Sequence, residues 1–195
     1  MLASITPLGE RGRQCRWGVT AAIFIASASL GAGALGAGAG LLGHAALGGV
    51  SDRIRIGIVL AALSGGALWE ISRRSVPGPR RQVNERWLES YRRWIYASGF
   101  GVQLGAGVVT IVASSAVYAV YVCALVAAAP ASGAAIGAVA GAMRGATLLG
   151  ARGVTTPARL VSLHARMTAL RVPVRRAAIA IQLLTAAALS WAVVS

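Results

Sequence analysis

Three ionisable side chains, His44, Glu70 and Arg144, stand within or at the ends of long apolar runs. Ionisable groups are costly to bury away from water, so each of them is a candidate for binding a solute or a proton. Glu70 and Arg144 lie near the ends of their runs, where they can also reach water or pair with an opposite charge. A catalytic site would need such groups to converge, and their scarcity predicts that this chain is not an enzyme.

A row of polar residues lies within the third apolar run. Gln103, Thr110 and Ser114 are spaced by seven and four residues, and two tyrosines follow. On a continuous helix these three positions share one face. Together with His44, this face predicts the lining of a solute path. The alternative is that the polar groups bond neighbouring helices or their own backbone.

Glycine recurs at steps of four residues in three of the apolar runs. The positions are Gly36 and Gly40 in the first run, Gly101 and Gly105 in the third, and Gly133, Gly137, Gly141 and Gly145 in the fourth. A stripe without side chains lets two helix backbones approach closely, and in lipid this packing drives helix association. The stripes predict tight packing, either within the chain or with other spans in a homo- or hetero-oligomer.

The sequence lacks the patterns of covalent and metal chemistry. Cys15 and Cys123 stand apart without the CxxC spacing of a redox pair, and His164 has no second ligand nearby. The motifs of serine hydrolases, zinc proteases and phosphate-binding loops do not occur in it. We expect no catalytic residue, no cofactor and no metal.

The composition is that of a membrane protein. Hydrophobic residues make up 56% and charged residues 12% of the chain, whereas soluble domains have about 45–50% and about 25%. All 19 basic residues are arginines, and most of them flank apolar runs, which is the pattern of cytoplasmic loops and not of a nucleic-acid surface. The sequence predicts a multi-pass protein of the bacterial plasma membrane without a nucleic-acid partner.

The alternation of apolar and basic segments predicts an all-α transmembrane bundle of about five spans. The segments are a basic tail at 1–16, a helical hairpin at 17–72, an arginine-rich loop at 73–94, a second hairpin at 95–150, a basic segment at 151–176 and a last span at 177–195. The tail and the two basic segments hold 16 of the 19 arginines, which predicts an N-terminus inside and a C-terminus outside. Pro157 and Pro173 bracket a predicted helix in the second basic segment.

Two of the apolar runs are too long for one upright span. Residues 17–50 would form a helix of about 50 Å, against a hydrocarbon core of about 30 Å, and residues 95–129 are similar. We expect the first and third helices to be broken or strongly tilted, and Gly31–Gly40 is the weakest helix former of the first run. Each long run is followed by a shorter span, and this coarse repeat is typical of transporters.

The arginine-rich loop contains an amphipathic pattern, in which Val83, Trp87, Leu88, Tyr91 and Ile95 share one helical face. The pattern predicts a helix that lies on the inner leaflet or packs on the protein's own helix ends. The residues expected to contact anionic lipid or an acidic partner are Arg80, Arg81, Arg86 and Arg93.

One stretch carries a resemblance to known proteins. Residues 77–112 read PGPRRQVNERWLESYRRWIYASGFGVQLGAGVVTIV, which resembles a segment of small polytopic membrane proteins of actinobacteria. The general style of the chain is similar to cytochrome c biogenesis and sulfite-exporter type membrane proteins, with few spans, glycine-rich broken helices and basic inner loops. Cys15 and Cys123 depart from the thiol-relay pattern of those proteins because neither is flanked by proline.

These patterns favour a small-solute transporter or permease-like protein, with a path along the third span that the glycine-rich first and fourth spans would gate. The alternative is a non-catalytic membrane subunit or scaffold. Such a subunit would bind other spans through its glycine stripes and acidic groups through its arginines.

Overall fold

The computed structural model describes residues 5–72, 76–78, 91–107, 112 and 114–194, and within these ranges the regular structure is entirely helical. The helices are α1 (Pro7–Gly12), α2 (Trp17–Leu47), α3 (Asp52–Ile71), α4 (Arg93–Ala106), α5 (Ala116–Val126), α6 (Pro130–Ala146) and α7 (Pro157–Val194), with a 3₁₀ helix at Thr147–Ala151 after α6. The predicted all-α class is confirmed. The predicted amphipathic helix after Val83 lies outside the described residues.

Four helical segments are long and apolar enough to cross a membrane. They are Trp17–Leu47, Asp52–Ile71, Pro130–Ala151 and Pro157–Ala192, and Ala116–Val126 is a shorter apolar helix. These segments support the prediction of a membrane protein with several spans.

The first apolar run forms one continuous helix, so the break considered at Gly31–Gly40 is not present in α2. Glycine is a weak helix former because of its backbone freedom, but here its lack of a side chain is used for packing. α2 lies against α4 and α6 along much of its length. The close approach of these backbones fixes a stretch that helix propensity alone would leave weak.

The N-terminal segment is folded and is not simply a basic tail. Thr6 caps α1 by accepting a hydrogen bond from the main-chain N–H of Gly9 at 3.1 Å, and Pro7 occupies the first helical position, where proline is favoured. The buried Ile5 packs with Phe24 of α2, with Phe100 of α4 and with further apolar residues of the same cluster. α1 therefore closes one end of the α2–α4 pair.

The third apolar run contains two separate helices. α4 ends at Ala106, where Gly107 has a φ of 71°, and α5 begins at Ala116. Glycine reaches this left-handed conformation without strain, which suits it to terminate a helix. Gln103 and Ser114 are therefore not on one continuous helical face, so that part of the prediction is wrong.

α3 and α7 pack against each other, and α3 also packs on α5. Val59, Leu63, Ala119 and Ala186 form the buried apolar cluster between these helices. α5 contacts α2 as well, so it joins the two groups of helices.

Pro173 was predicted to end a helix, but it lies within α7. The second basic segment and the last span are therefore one element of 38 residues. A proline inside a helix removes one main-chain hydrogen bond and often bends the axis.

Candidate functional site

Glu70 lies at the end of α3, and its carboxylate caps the beginning of α5. Oε1 of Glu70 accepts hydrogen bonds from the Ser115 main-chain N–H at 2.5 Å, from Ser115 Oγ at 2.7 Å and from Ser114 Oγ at 2.8 Å. Only 2% of Glu70 is exposed. A negative charge at a helix N-terminus is stabilised by the free N–H groups and by the helix dipole, so α5 and this carboxylate stabilise each other.

Gln182 of α7 completes the buried polar group. It is 3% exposed, and its side-chain amide lies 3.1 Å from Ser115 Oγ. The Ser115 hydroxyl is the donor in this contact, and the side-chain oxygen Oε1 of Gln182 accepts. Ser115 therefore lies between the side-chain oxygens of Glu70 and Gln182 and links the two side chains.

Two side-chain atoms of this group have no hydrogen-bond partner among the described residues. All hydrogen bonds to the Glu70 carboxylate go to Oε1, and none reaches Oε2. The amide nitrogen Nε2 of Gln182 is buried without a hydrogen-bond partner among the described residues. The guanidinium of Arg175 donates to the main-chain carbonyl of Glu70 and brings a positive charge next to the carboxylate. This site can accept a proton or a hydrogen-bond donor of a solute.

The third apolar run is interrupted between the end of α4 at Ala106 and the beginning of α5 at Ala116. The α4 end of this interruption faces a positive charge. A Cβ built on Gly107 would lie 2.4 Å from Nη1 of Arg144, so the guanidinium of α6 lies against the end of α4. Tyr121 of α5 also reaches this end, because its hydroxyl donates to the Ala106 carbonyl at 2.6 Å. A cation at a helix C-terminus is favoured by the helix dipole. Each broken end thus faces an ionisable side chain of the favourable sign.

The three ionisable residues of the apolar runs do not converge. Glu70 and Arg144 serve different ends of the interruption. His44 is exposed near the end of α2, and its Nδ1 lies 3.3 Å from the Ala128 carbonyl. Among the described residues, no group of His, Cys, Asp and Glu could hold a metal ion.

Of the predicted path-lining residues, only Ser114 belongs to this site. Gln103 is half-buried on α4, and Thr110 lies outside the described residues. Sequence reasoning missed Ser115 and Gln182, and it named Glu70 as a candidate near the end of a span without assigning any partner to it. The signal for Gln182 was present, because it is the one amide in the last apolar run.

The glycine stripes lie in the seams between helices of the same chain. Built Cβ atoms on Gly36, Gly40, Gly101, Gly105, Gly133, Gly137 and Gly141 would each lie 2.1–2.4 Å from a main-chain oxygen of a neighbouring helix or loop. Gly145 is less tight, at 3.1 Å from Ile25 Cα. These glycines hold α2 against α4 and α6, and so position Arg144 beside the end of α4.

A second buried carboxylate, Glu10 of α1, was not anticipated. It is fully buried and accepts hydrogen bonds from Arg13 at 2.6 Å, from Thr20 at 2.6 Å and from the Tyr96 hydroxyl at 3.0 Å. Burial alone would lower the pKa of Arg13, but the hydrogen bond and charge of Glu10 outweigh it and raise that pKa. Both oxygens of Glu10 thus accept hydrogen bonds from side chains of the fold, and we assign this cluster a structural role.

Of the arginines predicted to contact lipid or a partner, Arg93 is described. It begins α4 and lines an open cleft together with Arg13, Arg92 and Cys15. Arg80, Arg81 and Arg86 lie outside the described residues. Cys123 packs in the α3–α5–α7 cluster, whereas Cys15 belongs to the cleft, so the two cysteines are in different parts of the fold.

Comparisons with known proteins give no family for this chain. No protein-family model matches it, and no curated protein or solved structure matches it either.

Proposed function

We propose that this chain is a small-solute transporter or permease-like protein of the bacterial plasma membrane, and that Glu70 binds a proton or a cationic solute. The observation that carries the proposal is the interrupted third apolar run, whose two ends face Arg144 and Glu70. Transporters commonly place their binding sites at such discontinuous helices. An ionisable residue among candidate spans is by default a functional residue.

The geometry of Glu70 supports a binding role. A carboxylate with donors on one oxygen only can take a proton or a cation on the other. The chain of hydrogen bonds to Gln182 gives the site a second polar contact that lies on a different helix. Movement of α7 relative to α3 and α5 would change the contact of Gln182 with Ser115 and the contact of Arg175 with Glu70 at the same time. A coupled site requires such a joint change.

The proposed topology has the N-terminus inside, the C-terminus outside and five crossings. α4 and α5 have 14 and 11 residues, about 21 Å and 16 Å, so that neither crosses a core of about 30 Å alone. Together they supply the third crossing, with the interruption between them.

The experiment is charge displacement on solid-supported membranes with reconstituted protein, after jumps in proton, sodium, potassium or ammonium concentration. We expect a transient current for at least one of these ions, and at least a tenfold loss in Glu70→Gln. Asp52→Asn is the matched control, because Asp52 lies on the same helix with 91% of its side chain exposed. Both variants must elute as the wild type does in size exclusion.

Absence of a Glu70-dependent current for the whole series would contradict the proposal. It would favour the alternative of a non-catalytic membrane subunit. One observation speaks for that alternative, namely the exposed apolar residues of α7, which include Leu184 and Trp191 at 70% and 77% exposure. The glycine stripes do not support a membrane subunit that binds other spans, because they are buried within this chain.

A further inference from the structure

α7 carries a row of apolar side chains that the described part of the chain leaves largely uncovered. The row alternates spacings of three and four residues and consists of Leu160, Leu163, Met167, Leu170, Val174, Ala177, Ile181, Leu184, Ala188 and Trp191. Its exposed fraction rises from 45% at Met167 to 77% at Trp191. This spacing is the heptad pattern with which one helix packs along another. We call this row the α7 stripe.

The α7 stripe is separate from the face that α7 uses in its own fold. The buried positions of α7 are Gln182 and Ala186, and Arg175 reaches the end of α3. These residues point toward α3 and α5, whereas Ile181 and Leu184 are 63% and 70% exposed. As far as the described residues go, the α7 stripe is therefore open to a further helix.

The length of α7 shows which half of the stripe lipid cannot cover. Its 38 residues form a helix of about 57 Å, and a hydrocarbon core takes about 30 Å of it. Residues 177–194 carry no charge and fill that core. The helix continues through Pro173, so residues 157–176 extend beyond the stretch of α7 that fills the core.

The charges beside the first half of the stripe identify the chemistry of its partner. Arg159 and Arg166 follow one side of the stripe, Arg171 follows the other, and residues 157–176 contain no acid. These are the flanking positions that set partner choice in paired helices. Two copies of α7 would bring arginines together, whereas acidic residues at the same positions would pair with them.

We propose that the α7 stripe from Leu160 to Val174 binds an amphipathic helix of another protein, with apolar heptad residues flanked by Glu or Asp. The inference rests on the stripe, the length of α7 and its flanking arginines, and it does not depend on transport. A partner of this kind would sit beside Arg159, Arg166 and Arg171, on the side of α7 that faces away from Arg175 and Gln182.

The probe is a synthetic 21-residue helix with Leu at the two core positions of each heptad and Glu at the flanking ones. Its binding to the full chain in neutral-lipid nanodiscs is measured by fluorescence anisotropy. A peptide with Lys at the flanking positions is the control. We expect the acidic peptide to bind at least tenfold more tightly than the basic one, with an affinity that falls as salt rises.

Matched variants test the stripe itself. The double variant Leu163→Ser with Leu170→Ser is expected to bind the acidic peptide at least tenfold more weakly. Val161→Ser with Val172→Ser should leave binding unchanged, because these valines are exposed by 70% and 56% but lie off the stripe. The double variant Arg166→Glu with Arg171→Glu should bind the basic peptide more tightly than the acidic one. This variant leaves every apolar residue of the stripe unchanged.

Four outcomes would overturn the proposal. Equal binding of both peptides, or equal loss in the off-stripe variant, would show that the stripe does not select an acidic helix. Loss of peptide binding in phosphatidylglycerol nanodiscs, at the same salt, would assign this half of α7 to anionic lipid. A Leu170→Cys variant that cross-links to a second copy in membranes would assign the stripe to a homodimer.

Discussion

Replacing Gly36 by alanine tests the packing that holds this fold together. A Cβ on Gly36 would lie 2.1 Å from the main-chain oxygen of Gly133, so α2 and α6 would have to separate by about 1 Å to restore an ordinary contact. Overpacking of this kind costs about 1–3 kcal/mol. Gly38 is the matched control, because a Cβ there meets nothing within 4 Å.

Both substitutions gain about 1 kcal/mol of helix propensity, so their difference isolates the cost of the contact. We expect Gly36→Ala to be less stable than Gly38→Ala by about 1–3 kcal/mol, or by about 2–12 °C in Tm for a chain of this size. The assay is thermal unfolding in micelles, followed by the fluorescence of the five tryptophans. Equal Tm values, or a higher Tm for Gly36→Ala, would refute the seam between α2 and α6.

Two further predictions concern the buried carboxylates. Glu70→Gln should destabilise the protein by about 1.5–3 kcal/mol in the same assay, because an amide lacks the charge that the α5 N-terminus binds. Asp52→Asn, its control, should change stability by less than about 0.5 kcal/mol. Tyr96→Phe should cost about 1–3 kcal/mol at pH 7, because the buried Glu10 loses one donor, and Tyr91→Phe, at an exposed tyrosine, is its comparison.

The membrane-protein class and three of the candidate spans follow directly from the sequence. Trp17–Leu47, Asp52–Ile71 and Pro130–Ala151 lie within a few residues of the predicted runs, because uncharged stretches of this length have few other solutions. The spacing of four between Gly133 and Gly145 also predicted tight packing. Spacing alone does not reveal whether such a stripe meets a helix of its own chain or of another chain.

Packing overrides local preference in the parts that could not be predicted. Gly31–Gly40 is helical because α6 lies against it, and Pro173 stays inside α7 because a helix tolerates a single lost hydrogen bond. The interruption after Gly107 had a local signal, since residues 108–112 read VVTIV, and β-branched residues are weak helix formers. The length of the run predicted a broken or strongly tilted third helix, but it did not locate the interruption.

The candidate site was missed for a related reason. Ser115 and Gln182 are 67 residues apart and meet only through the packing of α5 and α7, so periodicity within one segment could not join them. The fold of the N-terminal segment was predictable in part. Thr6 followed by Pro7 is a typical start of a helix, but the burial of Glu10 depends on Thr20 and Tyr96, which belong to other helices.

A solute site at Glu70 requires that water-soluble reagents can reach the interruption between α4 and α5, and this access can be measured directly. Ser114→Cys and Ala119→Cys would be made separately in a Cys15→Ser, Cys123→Ser background and labelled in membrane vesicles with a small cationic methanethiosulfonate reagent. Ser114 hydrogen-bonds Glu70, whereas Ala119 is buried at 6% exposure among the apolar residues of α3 and α7. We predict labelling at position 114 that slows in the presence of a transported cation, and no labelling at 119. Equal protection of both positions would contradict a solute site at Glu70 and would leave its carboxylate as the cap of α5 alone.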